Sequence, residues 1–103
     1  MDELEARAQR QLDGLHSFQE TLQAISIRET SPDGLVTAEV DCTGALVDLH
    51  LAHGANELGA ARLAEQIVST SALAAQKVYA RIAGVTEQFN ESFADMLGAR
   101  PSE

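Results

Sequence analysis

Apolar side chains recur every three or four positions from Asp2 to about Gln23, as Leu4, Ala8, Leu15, Phe18 and Leu22. Leu12 widens the stripe and Gln11 alone interrupts it. This spacing lines one face of an α-helix. Asp2, Glu3 and Glu5 fall in its first turn, where negative side chains favour the positive end of the helix dipole. A helix of about 21 residues is ~30 Å long at ~1.5 Å per residue, more than so small a domain needs for its own core. Part of the stripe is therefore expected to meet a second copy. The alternative is that all of it packs on the chain's own sheet.

The period then changes to two. Ile25 and Ile27 alternate with Ser26 and Arg28 up to the turn residues Ser31, Pro32, Asp33 and Gly34. Val36, Ala38 and Val40 then alternate with Thr37, Glu39 and Asp41. After Cys42, Thr43 and Gly44, the residues Val47, Leu49 and Leu51 alternate with Asp48 and His50. A three-stranded antiparallel meander is predicted. One face is aliphatic, and the other carries Arg28, Thr37, Glu39, Asp41, Asp48 and His50, as in a sheet covered on one side.

A loop from Ala52 to about Leu58 leads to a second predicted helix, from Gly59 to about Ala83, with Leu63, Ile67, Ala74, Val78 and Ile82 on one stripe. Gly84 is expected to kink or end it. Val85, Phe89, Phe93 and Leu97 mark a further amphipathic segment before Gly98 and Pro101 stop it. The expected fold is α+β: helix, meander, long helix with a C-terminal extension, in a single domain over 1–103 whose residues from about 98 onward form a loose tail.

Composition adds limits. An apolar content of 45% suits a folded domain of 103 residues, but only 4% of residues are aromatic and many apolar ones are Ala. Each buried residue removes little surface from water, which favours self-association. The single Cys42 forms no internal disulfide, and no stretch reads as a secretory signal or as a membrane span of about 20 apolar residues. A cytoplasmic protein is expected. The net charge of −9 is uneven: −3 over 1–30, −4 over 31–55, +1 over 56–85 and −3 over 86–103.

Candidate chemistry is sparse. His50 and His53 have an H-x-x-H spacing, with Asp48 beside His50, but only His16 and Cys42 remain as further soft ligands, and a solvated role is expected. Gly54 and Gly59 have phosphate-loop spacing, yet Ala60 and Ala61 replace the Lys and hydroxyl that would hold phosphate and magnesium. Glu39, Asp41 and Asp48 read as a solvated sheet face rather than a cation site. No enzyme, cofactor or metal is implied. The cations available to a nucleic acid are Arg7 and Arg10 on the first helix and Arg62, Lys77 and Arg81 on the second. Doubled in a dimer, they can contact backbone phosphates without reading bases. A second reading of the same residues is a protein-binding adaptor or chaperone, holding an apolar or helical partner on Phe89, Phe93 and Met96. Leu4, Ala8, Leu15, Phe18, Phe89 and Phe93 are the candidates for a dimer or partner interface.

The element order, the run Ser31-Pro32-Asp33-Gly34-Leu35-Val36-Thr37-Ala38-Glu39-Val40, then Gly44 and Val47-Asp48-Leu49-His50-Leu51, and the later Leu63-Ala64-Glu65-Gln66-Ile67-Val68 before an Ala-rich helix, together resemble the YbaB/EbfC family. The resemblance covers roughly 2–81. It implies a small bacterial homodimer shaped like tweezers, a nucleoid-associated protein that binds duplex DNA with little sequence specificity. Actinobacterial relatives also occur among type VII secretion-associated proteins, which keeps the adaptor reading open. Unlike better-known members, this chain lacks a first helix rich in Met and Lys.

Overall fold

The computed structural model describes residues 2–98. Five principal elements follow in order: helix α1 (Glu3–Gln23), strands β1 (Ser26–Thr30), β2 (Val36–Asp41) and β3 (Leu46–Leu51), and helix α2 (Ala60–Leu97), with a short 3-10 turn, Ala55–Leu58, before α2. The sheet is antiparallel in the order β1-β2-β3. The α+β architecture is thus the one the hydrophobic pattern predicts.

Local chemistry sets the boundaries. The Asp2 carboxylate accepts from the Glu5 backbone N–H at 2.9 Å, capping α1. Its acidic first turn adds a favourable interaction with the helix dipole. At the first hairpin, Asp33 Oδ1 accepts from Ser31 Oγ at 2.7 Å and Leu35 N–H at 3.0 Å, and Gln66 Nε2 donates to Asp33 Oδ2 at 2.7 Å, tying the turn to α2. These donors hold the Asp33 carboxyl below its usual range, with the Ser31 hydroxyl contributing most. At the second hairpin, Asp41 Oδ1 accepts from the hydroxyl and backbone N–H of Thr43, which lower its pKa in the same way. Gly44 completes that turn with φ +86°, and an added Cβ there would lie 2.6 Å from the Tyr79 hydroxyl. Both the backbone angle and the approach of α2 therefore require glycine.

The core lies between β2 and α2. Val36, Ala38 and Val40 are buried on one side of β2, and Ile25, Val40, Ala74 and Val78 form one cluster with Leu22, Ile27, Cys42, Ala75, Ile82 and Val85 around it. Burying a side chain of Val size removes about 1.5 kcal/mol or more of unfavourable hydration.

Three details depart from the sequence pattern. First, α2 runs 38 residues without ending at Gly84, because the stripe Val78, Ile82, Val85 and Phe89 continues across it. Continuous packing there outweighs the ~1 kcal/mol that glycine costs a helix. Second, a bulge places Leu46 opposite Val40 while Asp48 stays opposite Glu39, so Val47 is the extra residue. Third, α2 covers β1 and β2 but leaves β3 bare: Leu49 is 37% and Leu51 42% exposed although they pair with Ala38 and Val36 on the aliphatic side. The expected loose tail falls on 99–103, outside the described residues.

Candidate nucleic-acid interface

At about 1.5 Å per residue the 38 residues of α2 span ~57 Å, well past the sheet. Its distal part pairs with α1 to form an arm, giving a molecule of 67 × 33 × 16 Å. The arm is held by an aromatic stack. The Phe18 and Phe89 ring centroids are 4.2 Å apart, and those of Phe89 and Phe93 5.3 Å. These three candidate interface residues are therefore brought together within one chain. Leu4, Ala8 and Leu15 remain exposed on α1, which buries no residue fully. The side chain of Met96 is not among those described.

Two concavities adjoin along the arm. The first, of about 560 Å³, lies beside β1, where Ile27 meets Lys77, Arg81, Gly84, Val85 and Gln88 of α2. The second, of about 290 Å³, is a slot between Gly14, Ser17, Phe18 and Thr21 of α1 and Val85, Gln88, Phe89, Ser92 and Phe93 of α2. Val85 and Gln88 line both, so the two adjoin along one side of the arm and are together called its groove. Helix periodicity extends it towards the tip. Arg7 precedes Gly14 by two turns and Arg10 precedes Ser17 by two turns, which puts both arginines on the α1 face that walls the slot.

Four of the five candidate cations thus share one face of the arm: Lys77 and Arg81 at the sheet end, Arg7 and Arg10 at the tip. Arg62 stands apart, about 20 Å from Lys77 along the α2 axis. Their electrostatic states differ. Lys77 Nζ donates to Glu29 Oε2 at 2.7 Å, whereas Arg7, Arg10, Arg62 and Arg81 make no ion pair among the described residues. The Lys77–Glu29 pair joins positions far apart in sequence and leaves no local signal. Arg28, which was not a candidate, spans the polar sheet face, donating to Glu39 at 3.1 Å and Asp48 at 3.0 Å. Asp41 is held apart from that pair by its own turn. Among the described residues, no three His, Cys, Asp or Glu side chains come together, and Cys42 is a half-buried free thiol.

A surface that the sequence pattern missed is the trough between β3 and α2. Leu46, Leu49 and Leu51 form its floor, and Tyr79, whose hydroxyl meets Gly44 in the β2–β3 turn, marks the side of α2 that faces it. Val68, 68% exposed and eleven residues before Tyr79, lies on that side too. Alternation in a strand tells which side is apolar, not which neighbour covers it.

No described helix is long and apolar enough to cross a membrane. No individually curated protein matches the chain. A family model does, the YbaB/EbfC DNA-binding family, and it matches residues 1–93, which include α1, the whole sheet and all but the last turn of α2. With the meander, the long second helix and the helical arm lying inside the matched span, the chain belongs to the YbaB/EbfC DNA-binding family.

Proposed function

We propose that this chain acts at the nucleoid as a homodimer that binds duplex DNA through its phosphate backbone, with little sequence specificity. The observation that carries the reading is that Arg7, Arg10 and Arg81, none of them ion-paired among the described residues, are spaced along one face of the arm, with about 24 Å between Arg10 and Arg81 along its axis, in a chain matched by a DNA-binding family. Fixed cations along a groove can neutralise phosphates even where the whole molecule is acidic, because the interaction is screened beyond about 10 Å at 0.1 M salt. Lys77 contributes less, since binding a phosphate competes with Glu29.

The bare trough supports the dimer. A second copy covering Leu46, Leu49, Leu51 and Val68 would remove exposed aliphatic surface and shield the unpaired edge of β3. Leu4, Ala8 and Leu15 lie outside the slot, leaving the first helix free to extend that contact. The basic groove stays open in this arrangement, one on each protomer, because it lies at β1 and not at β3.

Charge reversal tests the reading. Arg7→Glu with Arg10→Glu should weaken binding to a short labelled duplex at least about tenfold, through the loss of two phosphate contacts on each protomer, while sedimentation still shows a dimer. Unchanged DNA affinity with both arginines reversed removes the groove as the binding surface. In a separate variant, Leu49→Asp places a charge in the trough and should yield a folded monomer; a dimer that survives it removes β3 from the interface.

A further inference from the structure

We propose that the slot between α1 and α2 seats an unpaired base, so that this protein holds single-stranded DNA more tightly than duplex. This inference rests on the nucleic-acid reading of the groove and goes beyond it in naming the form of DNA preferred. A groove that meets only phosphates has no use for an apolar floor, yet this one has Phe18, Phe89 and Phe93 beneath it. Those rings are close to parallel, with interplanar angles of 25° and 22°. A flat base entering the slot continues the stack, the interaction by which single-strand binding proteins take bases of any identity.

The walls suit a base edge equally well. Ser17 on one side and Gln88 and Ser92 on the other present hydroxyl and amide groups that both donate and accept hydrogen bonds, while the Thr21 hydroxyl, which donates to the Ser17 carbonyl, is left as an acceptor. Such walls accommodate every base and select none. The volume of about 290 Å³ leaves room for one base and some water, not for a base pair with its neighbours. Charge complementarity fixes how the strand runs. Arg81 lies on the sheet side of the slot and Arg7 and Arg10 on the tip side, each about 10 Å or more along the arm from the centre of the slot, so phosphates one or two nucleotides away from the seated base meet cations in both directions. In a duplex the bases are stacked inside, and the same cations reach the backbone while the slot stays unfilled.

The test uses the full chain and two probes: an oligothymidylate of about 15 nucleotides with one central 2-aminopurine, within the ~4–16 nucleotides that single-strand modules occupy, and a duplex of equal length. The single strand should bind at least about tenfold more tightly than the duplex, equivalent to ~1.4 kcal/mol, and 2-aminopurine emission should fall as the base stacks. Ser92→Leu fills the slot from an exposed position without altering the Phe stack, and Ser17→Leu does so from the opposite wall. Each should abolish the preference and the emission change while duplex affinity and the dichroism spectrum stay as they were. Duplex binding as tight as single-strand binding, or a preference undiminished in both filled variants, overturns the base slot and leaves the phosphate groove intact. Failure of the unmodified protein to bind either probe overturns both readings.

Discussion

Beneath α2, the strand β2 buries Val36, Ala38 and Val40, whereas α1 in the arm buries none of its side chains fully. Much of the charge at the sheet end is held within the fold: Arg28 by Glu39 and Asp48, Lys77 by Glu29, and the Asp33 and Asp41 carboxylates by turn donors, with Arg62 and Arg81 of α2 left without an ion pair among the described residues. In the arm, Arg7 and Arg10 make no ion pair among the described residues and the packing rests on three stacked rings. Burial is thus concentrated at the sheet end, while cations without an ion pair run from its border, at Arg81, out along the arm to Arg10 and Arg7. A phosphate-binding surface benefits from this division, because a cation already satisfied by a carboxylate must give up that partner before it can bind.

The contrast is sharpest in the core. Val78→Ala removes two methyl carbons from a fully buried site and should lower unfolding free energy by about 2 kcal/mol in urea denaturation. Leu15→Ala removes more carbon from the arm, yet Leu15 is 44% exposed and its loss should cost under about 1 kcal/mol. Equal losses at the two sites would mean that the arm is packed as tightly as the core.

Gly44→Ala should cost about 1–3 kcal/mol, from the left-handed backbone together with the clash against Tyr79. Combining it with Tyr79→Ala separates the causes: a cost smaller than the two single changes added together assigns part of the loss to the clash. At Gly84, where an added Cβ meets nothing, Ala should instead stabilise by about 0.5–1 kcal/mol, read as a raised Tm. A lowered Tm would mean that α2 needs glycine there.

How much of this was legible in sequence depends on the range of the interaction. The meander was visible because alternation is local, and α1 because its stripe and acidic first turn are local too. Gly84 misled because a helix breaker is judged from its neighbours, whereas the continuity of Val78, Ile82, Val85 and Phe89 is decided by what α1 and β2 supply to pack on. The bulge at Val47 depends on register with Val40, a pairing between strands. Four of the five candidate cations do fall on one face, but that Glu29 occupies Lys77 follows only from folding. The trough over β3 has no counterpart in the pattern.

The smallest effect is one of pH. Hydrogen bonds, first from Ser31, depress the folded-state pKa of Asp33, so its contribution is present above about pH 4, the usual unfolded carboxylate value, and is lost as pH falls through the lower folded value. Asp33→Asn should therefore flatten the acid limb of stability below about pH 4 and leave the neutral limb parallel. An unchanged acid limb would remove the Ser31–Asp33–Gln66 knot as a source of pH dependence.

If cations of the arm groove hold DNA phosphates, duplex binding must depend steeply on salt. For a dimer engaging Arg7, Arg10 and Arg81 on each copy, affinity should fall about a thousandfold between roughly 50 and 200 mM salt. Replacing these three residues with Gln should flatten that dependence towards zero. A duplex that is not bound at the lower salt, or one whose salt dependence is unchanged by the triple replacement, would contradict the account.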